Sequence, residues 1–268
     1  MLGNSFDNKF IKIKVLGVNT ASDAKLSGGL AAINCMLEKN LPGVKYLAID
    51  RHDTYNLAAC KAAHKFRLLD MADERNLIRN LRGSDLIFLI VDEVWENIKA
   101  VAIAAHCAKK SGATMILIAG GNFLDAEDEI IFDAVIKLPS EDFAAEAANI
   151  VETFIAAITL PGYPKFDFRT LVEFIKDSAA IIGYGEAKNS ITFAVNRALK
   201  HLSTEDNFKA STRILFNVTA SKEKLSLDRL EKLSRLMKRY APNAELSFGF
   251  SVDDLLVKKV KFLILAAN

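Results

Sequence analysis

The sequence has little of what most functional classes require. Its three cysteines, at 35, 60 and 107, show no CxxC spacing and sit in apolar, helix-like settings. That argues against a disulfide framework or a thiolate metal site and fits small buried hydrophobes in a reducing cytosol. Neither sign of charge is in excess: 35 basic and 33 acidic residues leave a net charge of +2. There is thus no electrostatic case for nucleic acid or an anionic membrane surface. No apolar run is long enough for a membrane span, and the opening MLGNSFDNKF has no apolar signal-peptide core. A soluble cytoplasmic protein without membrane insertion is expected. His64, His106 and His201 stand apart, which favours surface or satisfied helix residues over metal ligands. No Ser/His/Asp or Cys/His arrangement with a recognisable local context is present.

The most telling scarcity is glycine. The apolar run Asp85-Leu-Ile-Phe-Leu-Ile-Val91 leads into Asp92-Glu93-Val94-Trp95-Glu96-Asn97-Ile98-Lys99. A buried strand running into a helix is where nucleotide-binding α/β proteins place a glycine-rich loop, because glycine lets backbone N–H groups close on a phosphate. Here three carboxylates and an indole occupy the turn. They repel a triphosphate and fill its space. Carboxylates 92, 93 and 96 read first as helix-start acids that complement the macrodipole, with cation binding as the alternative. Trp95, the single tryptophan, reads as a buried plug of a vacated pocket, the alternative being an exposed interface anchor.

What is present is a long alternation of strands and helices, in a chain that is 51% apolar. Strands are expected at 12–18, 44–50, 85–91, 114–119 and 133–138, with helices between them. The continuously apolar strands predict a parallel sheet covered on both faces. A long apolar helix over 143–158 is stopped by Leu160-Pro161-Gly162-Tyr163-Pro164. Beyond it, helices are expected at 168–178, 188–201 and 226–240, and strands near 179–184, 211–219, 244–251 and 258–266. The expected organisation is a Rossmann-like domain over 1–141, a central helix over 142–160 and a smaller α+β domain with a mixed sheet over 161–268.

That order of elements resembles the tubulin/FtsZ family. Pro161-Gly162-Tyr163-Pro164-Lys165-Phe166-Asp167-Phe168 resembles the family's PGLxNxDFxD stretch. Asp177 to Ala187 resembles its GxAxMGxGxA strand and turn, and Ile214-Leu215-Phe216-Asn217-Val218-Thr219 its VLVNIT strand. Ala194 to Leu199, Ser226 to Leu230 and Val260 to Ala266 are similar to further family segments in the same order. In the first half, Ala31 to Glu38, Tyr46 to Asp50 and Phe132 to Ser140 carry the likeness. The resemblance spans nearly the whole chain and implies the family's fold, its GTP site and its self-association.

The nucleotide parts then depart from the family one after another. Of the first phosphate loop only Gly17, Gly28 and Gly29 remain, around a longer stretch from Asn19. The asparagine that the family uses near the base aligns with Ala31, and the third loop is missing around Ala58 to Leu69. The GGGTGTG signature is replaced by Glu93 to Lys99, and the guanine-contacting start of the central helix is shortened to Glu141-Asp142-Phe143-Ala144-Ala145. The three groups that a neighbouring subunit supplies to the γ-phosphate align with Lys165, Asp167 and Thr170, so only Asp167 survives. Hydrolysis needs those groups together.

The resulting expectation is a degenerate FtsZ-like protein with no catalytic residue beyond the remnant Asp167, which reads more simply as a helix cap. No cofactor is expected, GTP included. Its partners would be itself or a true FtsZ. One alternative is a residual slow GTPase that holds GTP through Gly17, Gly28 and Gly29. Another is a binding module at Asp50, Arg51, His52 and Asp53, where the second strand ends at the sheet's carboxyl edge. A metal held there by His52 with Asp50 or Asp53 is the sharpest form of that alternative, and a plain polar loop end is the simplest.

Overall fold

Largely apolar strands dictate a buried sheet, and the computed structural model is built on one. It describes residues 11–19, 26, 28–51, 54–92, 98–120, 131–138, 141–164, 168–176, 180–202, 208 and 210–267. In the first half, β1 (Ile13–Val18), β4 (Leu86–Val91) and β5 (Thr114–Gly120) are buried at every position. They lie beside β2 (Val44–Asp50), β3 (His64–Arg67) and β6 (Ala134–Leu138) in the order β3-β2-β1-β4-β5-β6, all parallel. Helices α1 (Gly28–Lys39), α2 (Thr54–Ala59), α3 (Met71–Leu81) and α4 (Ile98–Lys109) connect them. Helix α3 shows how locally these elements are specified. Asp70 caps it by accepting from the Ala72 and Asp73 amides at 2.7 and 3.0 Å, and Gly83 follows it at φ +71°.

Helix α5 (Phe143–Thr159) is apolar on nearly every side, and it is buried accordingly. One core cluster joins it to α1, to one face of the first-half strands and to Tyr184, Leu263 and Leu265 of the second half. Phe154 of α5 meets Phe88 of β4 edge-on, with ring centroids 5.5 Å apart. A second cluster packs α3 and α4 on the opposite sheet face. This is the parallel sheet covered on both faces that the apolar strands require.

The second half contains α6 (Phe168–Lys176), β7 (Ala180–Lys188), α7 (Ile191–His201), β8 (Arg213–Ala220), α8 (Leu227–Tyr240), β9 (Glu245–Val252) and β10 (Lys259–Ala267). Ser190 and Ser226 cap α7 and α8 through the amides three residues on. β10 lies antiparallel between β7 and β8, and β9 runs parallel to β8, so this half of the sheet is mixed. The two halves form one ten-stranded sheet, because β6 and β7 pair through Ala134–Ala180 and Val135–Ile181.

At the far side of this half a short strap closes the sheet. The amides of Phe250 and Val252 donate to the Pro164 and Pro161 carbonyls, each at 2.7 Å. Gly162 makes that approach possible, since a β-carbon there would lie 1.6 Å from the Phe250 carbonyl oxygen.

Candidate functional site

β1 pairs with β2 on one side and β4 on the other, so the strand order reverses at β1. In an open α/β sheet, ligands bind in the crevice beyond the carboxyl ends of the strands at such a switch point. A cavity of about 410 Å³ lies there. Gly28, Ala31 and Cys35 of α1, Asp92 just after β4, and Asp142 and Phe143 at the start of α5 line it. Its described lining holds two carboxylates and no cation. Asp142 precedes α5 at φ +56°, and its side chain makes no capping hydrogen bond.

The three predicted nucleotide glycines separate into two roles. Gly17 and Gly29 are packing positions: a β-carbon on Gly17 would lie 2.3 Å from the Gly29 carbonyl oxygen, and one on Gly29 would lie 2.2 Å from the Ile90 carbonyl oxygen. The first turn of α1 therefore rests directly on the backbones of β1 and β4, and any side chain would push it off. Gly28, at φ +48°, is the one of the three that lines the cavity. The space beside it belongs to Asp92, whose Cγ would be 2.1 Å from an added β-carbon. The sequence reading gave Asp92 to the start of α4. Residues 93–97 lie outside the described residues, and the Asp92 carboxylate lies against the start of α1.

The other predicted residues are placed as follows. Asp50 is fully buried at the end of β2, where Asn19 Nδ2 donates to one carboxylate oxygen at 3.1 Å and the Arg51 amide to the other at 2.6 Å. It ties the end of β1 to the end of β2, which is a structural use of the acid. Arg51 is half-buried beside it. His52 and Asp53 lie outside the described residues, as do Glu93, Trp95, Glu96, Lys165 and Asp167. The plug reading of Trp95 and the cap reading of Asp167 therefore fall there too. Thr170 is exposed on α6. No group of three or more metal-ligating side chains occurs among the described residues.

Sequence reasoning missed a second charged centre, on the middle of α5. Glu152 Oε1 meets Lys261 of β10 at 2.5 Å, and Oε2 meets Lys39, the last residue of α1, at 2.5 Å. Lys39 also donates to Asn149 at 2.8 Å. The Lys261 side chain is only 4% exposed. Burial pushes the Glu152 carboxyl up, but the charges and hydrogen bonds of Lys261 and Lys39 outweigh it and hold the group below its ordinary range. Burial dominates at Lys261 and lowers its pKa against the pull of Glu152. Beside them Lys259 pairs with Glu186 at 2.7 Å, and the Tyr184 hydroxyl donates to the same carboxylate at 3.1 Å. Burial, followed by the Glu186 charge, drives the Tyr184 pKa upward.

With this architecture in view, the fold is clear: the ten-stranded sheet and its helices have the FtsZ/tubulin fold. It matches a tryptophan-to-tyrosine variant of FtsZ from M. jannaschii with a TM-score of 0.75, at 19% identity over 96% of this chain and 91% of that one. It matches an empty FtsZ dimer of the same organism at 0.74, with 18% identity over 98% and 89% of the two chains. The likeness to CetZ from Methanosaeta thermophila is 0.66, at 13% identity over 96% and 86%. In sequence, the chain is 33% identical over 135 residues to the cell division protein FtsZ of Porphyromonas gingivalis, which is 48% of this chain but 29% of that relative. No family model matches the chain.

Proposed function

We propose that this FtsZ/tubulin-like chain works by protein association, with itself or with an FtsZ, and does not hydrolyse GTP. The observation that carries the reading is the acidic cavity. Asp92 and Asp142 face the space between the start of α1 and the start of α5, with no cation in the described lining, where a triphosphate would need the opposite. Micromolar GTP affinity corresponds to about 8 kcal/mol, and the described lining of this cavity offers no cation toward it. The half-length likeness to a cell division FtsZ supports a cytoskeletal or cell-division type of role in the cytoplasm. No described helix is long and apolar enough to cross a membrane.

A second reading, a GTP-binding protein with residual slow hydrolysis, has one observation in its favour. Asp142 and Phe143 put an acid and an aromatic at the start of α5, where the resemblance places guanine contacts. The third reading, a ligand module at the Asp50 loop, is weakened because Asp50 is buried and both its oxygens already accept hydrogen bonds. Nucleotide content of the purified protein, together with calorimetry against magnesium-GTP, separates the first two readings. No co-purified nucleotide and no heat are expected. Micromolar binding, or stoichiometric guanine nucleotide, establishes the second.

A further inference from the structure

We propose that the groove between α7 and α8 docks an acidic segment of a partner protein, with one apolar side chain held between carboxylates. The proposal rests on the association reading above and names where a partner attaches and by what chemistry. A cavity of about 240 Å³ opens there. Ile191, Leu233, Leu236 and Val260 give it an apolar wall, and Lys224, Arg229 and Lys232 give it a cationic one. Its described lining holds no carboxylate, the reverse of the cavity beside α1. A patch of one sign steers and selects a partner of the other, and an apolar recess accepts a side chain as an anchor.

Two of the three cations are held in place by neutral acceptors. Lys224, in the turn Lys222–Lys224 before α8, donates to Asn189 Oδ1 at 2.9 Å and to the Val257 carbonyl at 2.8 Å. Arg229 donates to the Lys224 carbonyl at 2.6 Å. Each presents its charge from a fixed position, and less side-chain freedom remains to be lost on binding. Helix α8 adds to the sign: it carries Arg229, Lys232, Arg235, Lys238 and Arg239 against Asp228 and Glu231. Glu231 is taken by Arg235 at 2.8 Å, so it does not offset Arg229 or Lys232. Large apolar side chains stand exposed next to the lining. Phe193 follows Thr192, Leu227 stands two residues before Arg229, and Val257 is the residue whose carbonyl holds Lys224. Exposed apolar groups rimmed by charge mark a protein-binding surface. A nucleic acid strand offers phosphates but no aliphatic anchor for the Leu233 and Leu236 wall, so the occupant is a protein segment.

Fluorescence anisotropy with short labelled peptides tests this on the full chain. Each peptide has Glu-Asp before and Asp-Glu after one variable residue, which is Leu, Ile, Phe, Met or Trp. Counterparts have serine at the variable position, or lysine in place of the acids. At least one acidic apolar peptide should bind, and its serine and lysine counterparts should bind at least about tenfold more weakly. Lys232→Glu should weaken that binding by about tenfold or more. Lys110→Glu, exposed in the other half, should leave it unchanged, and circular dichroism checks that both variants fold. If Lys232→Glu does not fold, Lys232→Gln decides, with an expected loss of about threefold or more. No binding by any peptide, equal binding by the serine set, or an equal loss in Lys110→Glu overturns the proposal. Phosphatidylserine vesicles that bind through Lys232 while no peptide does give the face to a membrane and overturn it as well. Self-association abolished by Lys232→Glu, with no peptide binding, makes a second copy the occupant and also overturns it. The association reading fails separately, by micromolar magnesium-GTP binding to the wild type, which peptide binding at the groove does not report.

Discussion

Helix α5 passes two carboxylate neighbourhoods that differ in their company. At its start, Asp142 faces Asp92 across a cavity whose described lining contains no cation. Ten residues along, Glu152 lies between the ammonium groups of Lys39 and Lys261. A carboxylate withdrawn from water needs an opposite charge, and Glu152 has two. The difference separates a matched cluster in the scaffold from the acidic described lining of the candidate site. Where α1, α5 and β10 must stay together, charge is matched within 2.5 Å. Where a ligand is proposed not to bind, the described lining carries two carboxylates and no cation.

The largest test of this contrast is Glu152→Ala. It leaves the Lys261 ammonium buried without its counter-charge and should cost about 3–5 kcal/mol in chemical unfolding. A loss under about 1 kcal/mol would show the pair to be dispensable and erase the distinction. Next is Gly29→Ala, which drives a methyl into the Ile90 carbonyl and should destabilise by about 3 kcal/mol. A variant of normal stability would mean that this glycine is not a packing position. Acid comes third. The folded Glu152 carboxyl lies below its ordinary 4.5, so its contribution is complete above that value and is lost as pH falls through the folded one. Glu152→Gln should therefore show a shallower acid decline than the wild type, and parallel declines would count against the pair. Lys39→Ala should cost only about 0–1 kcal/mol, since that side chain is 30% exposed and solvent screens the pair. The smallest expected effect is none. Under the association reading, sedimentation with and without GTP and magnesium should give the same assemblies, and GTP-dependent pelleting reversed on hydrolysis would end that reading.

Much of the fold was legible because its signals are local. The runs Leu86–Val91 and Thr114–Gly120 are too apolar for anything but buried strands, and Pro161 ends α5 by its chemistry. The short strand His64–Arg67 was not legible. It is an edge strand, half of its four residues are cationic, and it is mostly exposed, so it carries neither an apolar run nor an alternation. The union of the two halves into one sheet rests on two residue pairs between β6 and β7, which no periodicity announces. In the sequence the candidate site is read only through departures from the family's motifs. That Asp92 belongs to α1, 64 positions upstream at Gly28, follows from the packing of β1, β4 and α1. Lys261 sits in a partly alternating strand, and its partner Glu152 is 109 residues away.

The strap at Pro161 and Pro164 bears on how copies of this chain can meet. A strand at the border of a sheet ordinarily presents a row of open amides and carbonyls that another molecule can extend. Here two amides of β9 are already used, and the two residues that take them are prolines, which have no N–H of their own to offer outward. The ladder therefore ends in a segment with few donors, and an incoming chain finds little there to pair with. At the Phe250–Val252 end of β9, backbone pairing with another molecule would have to displace this strap.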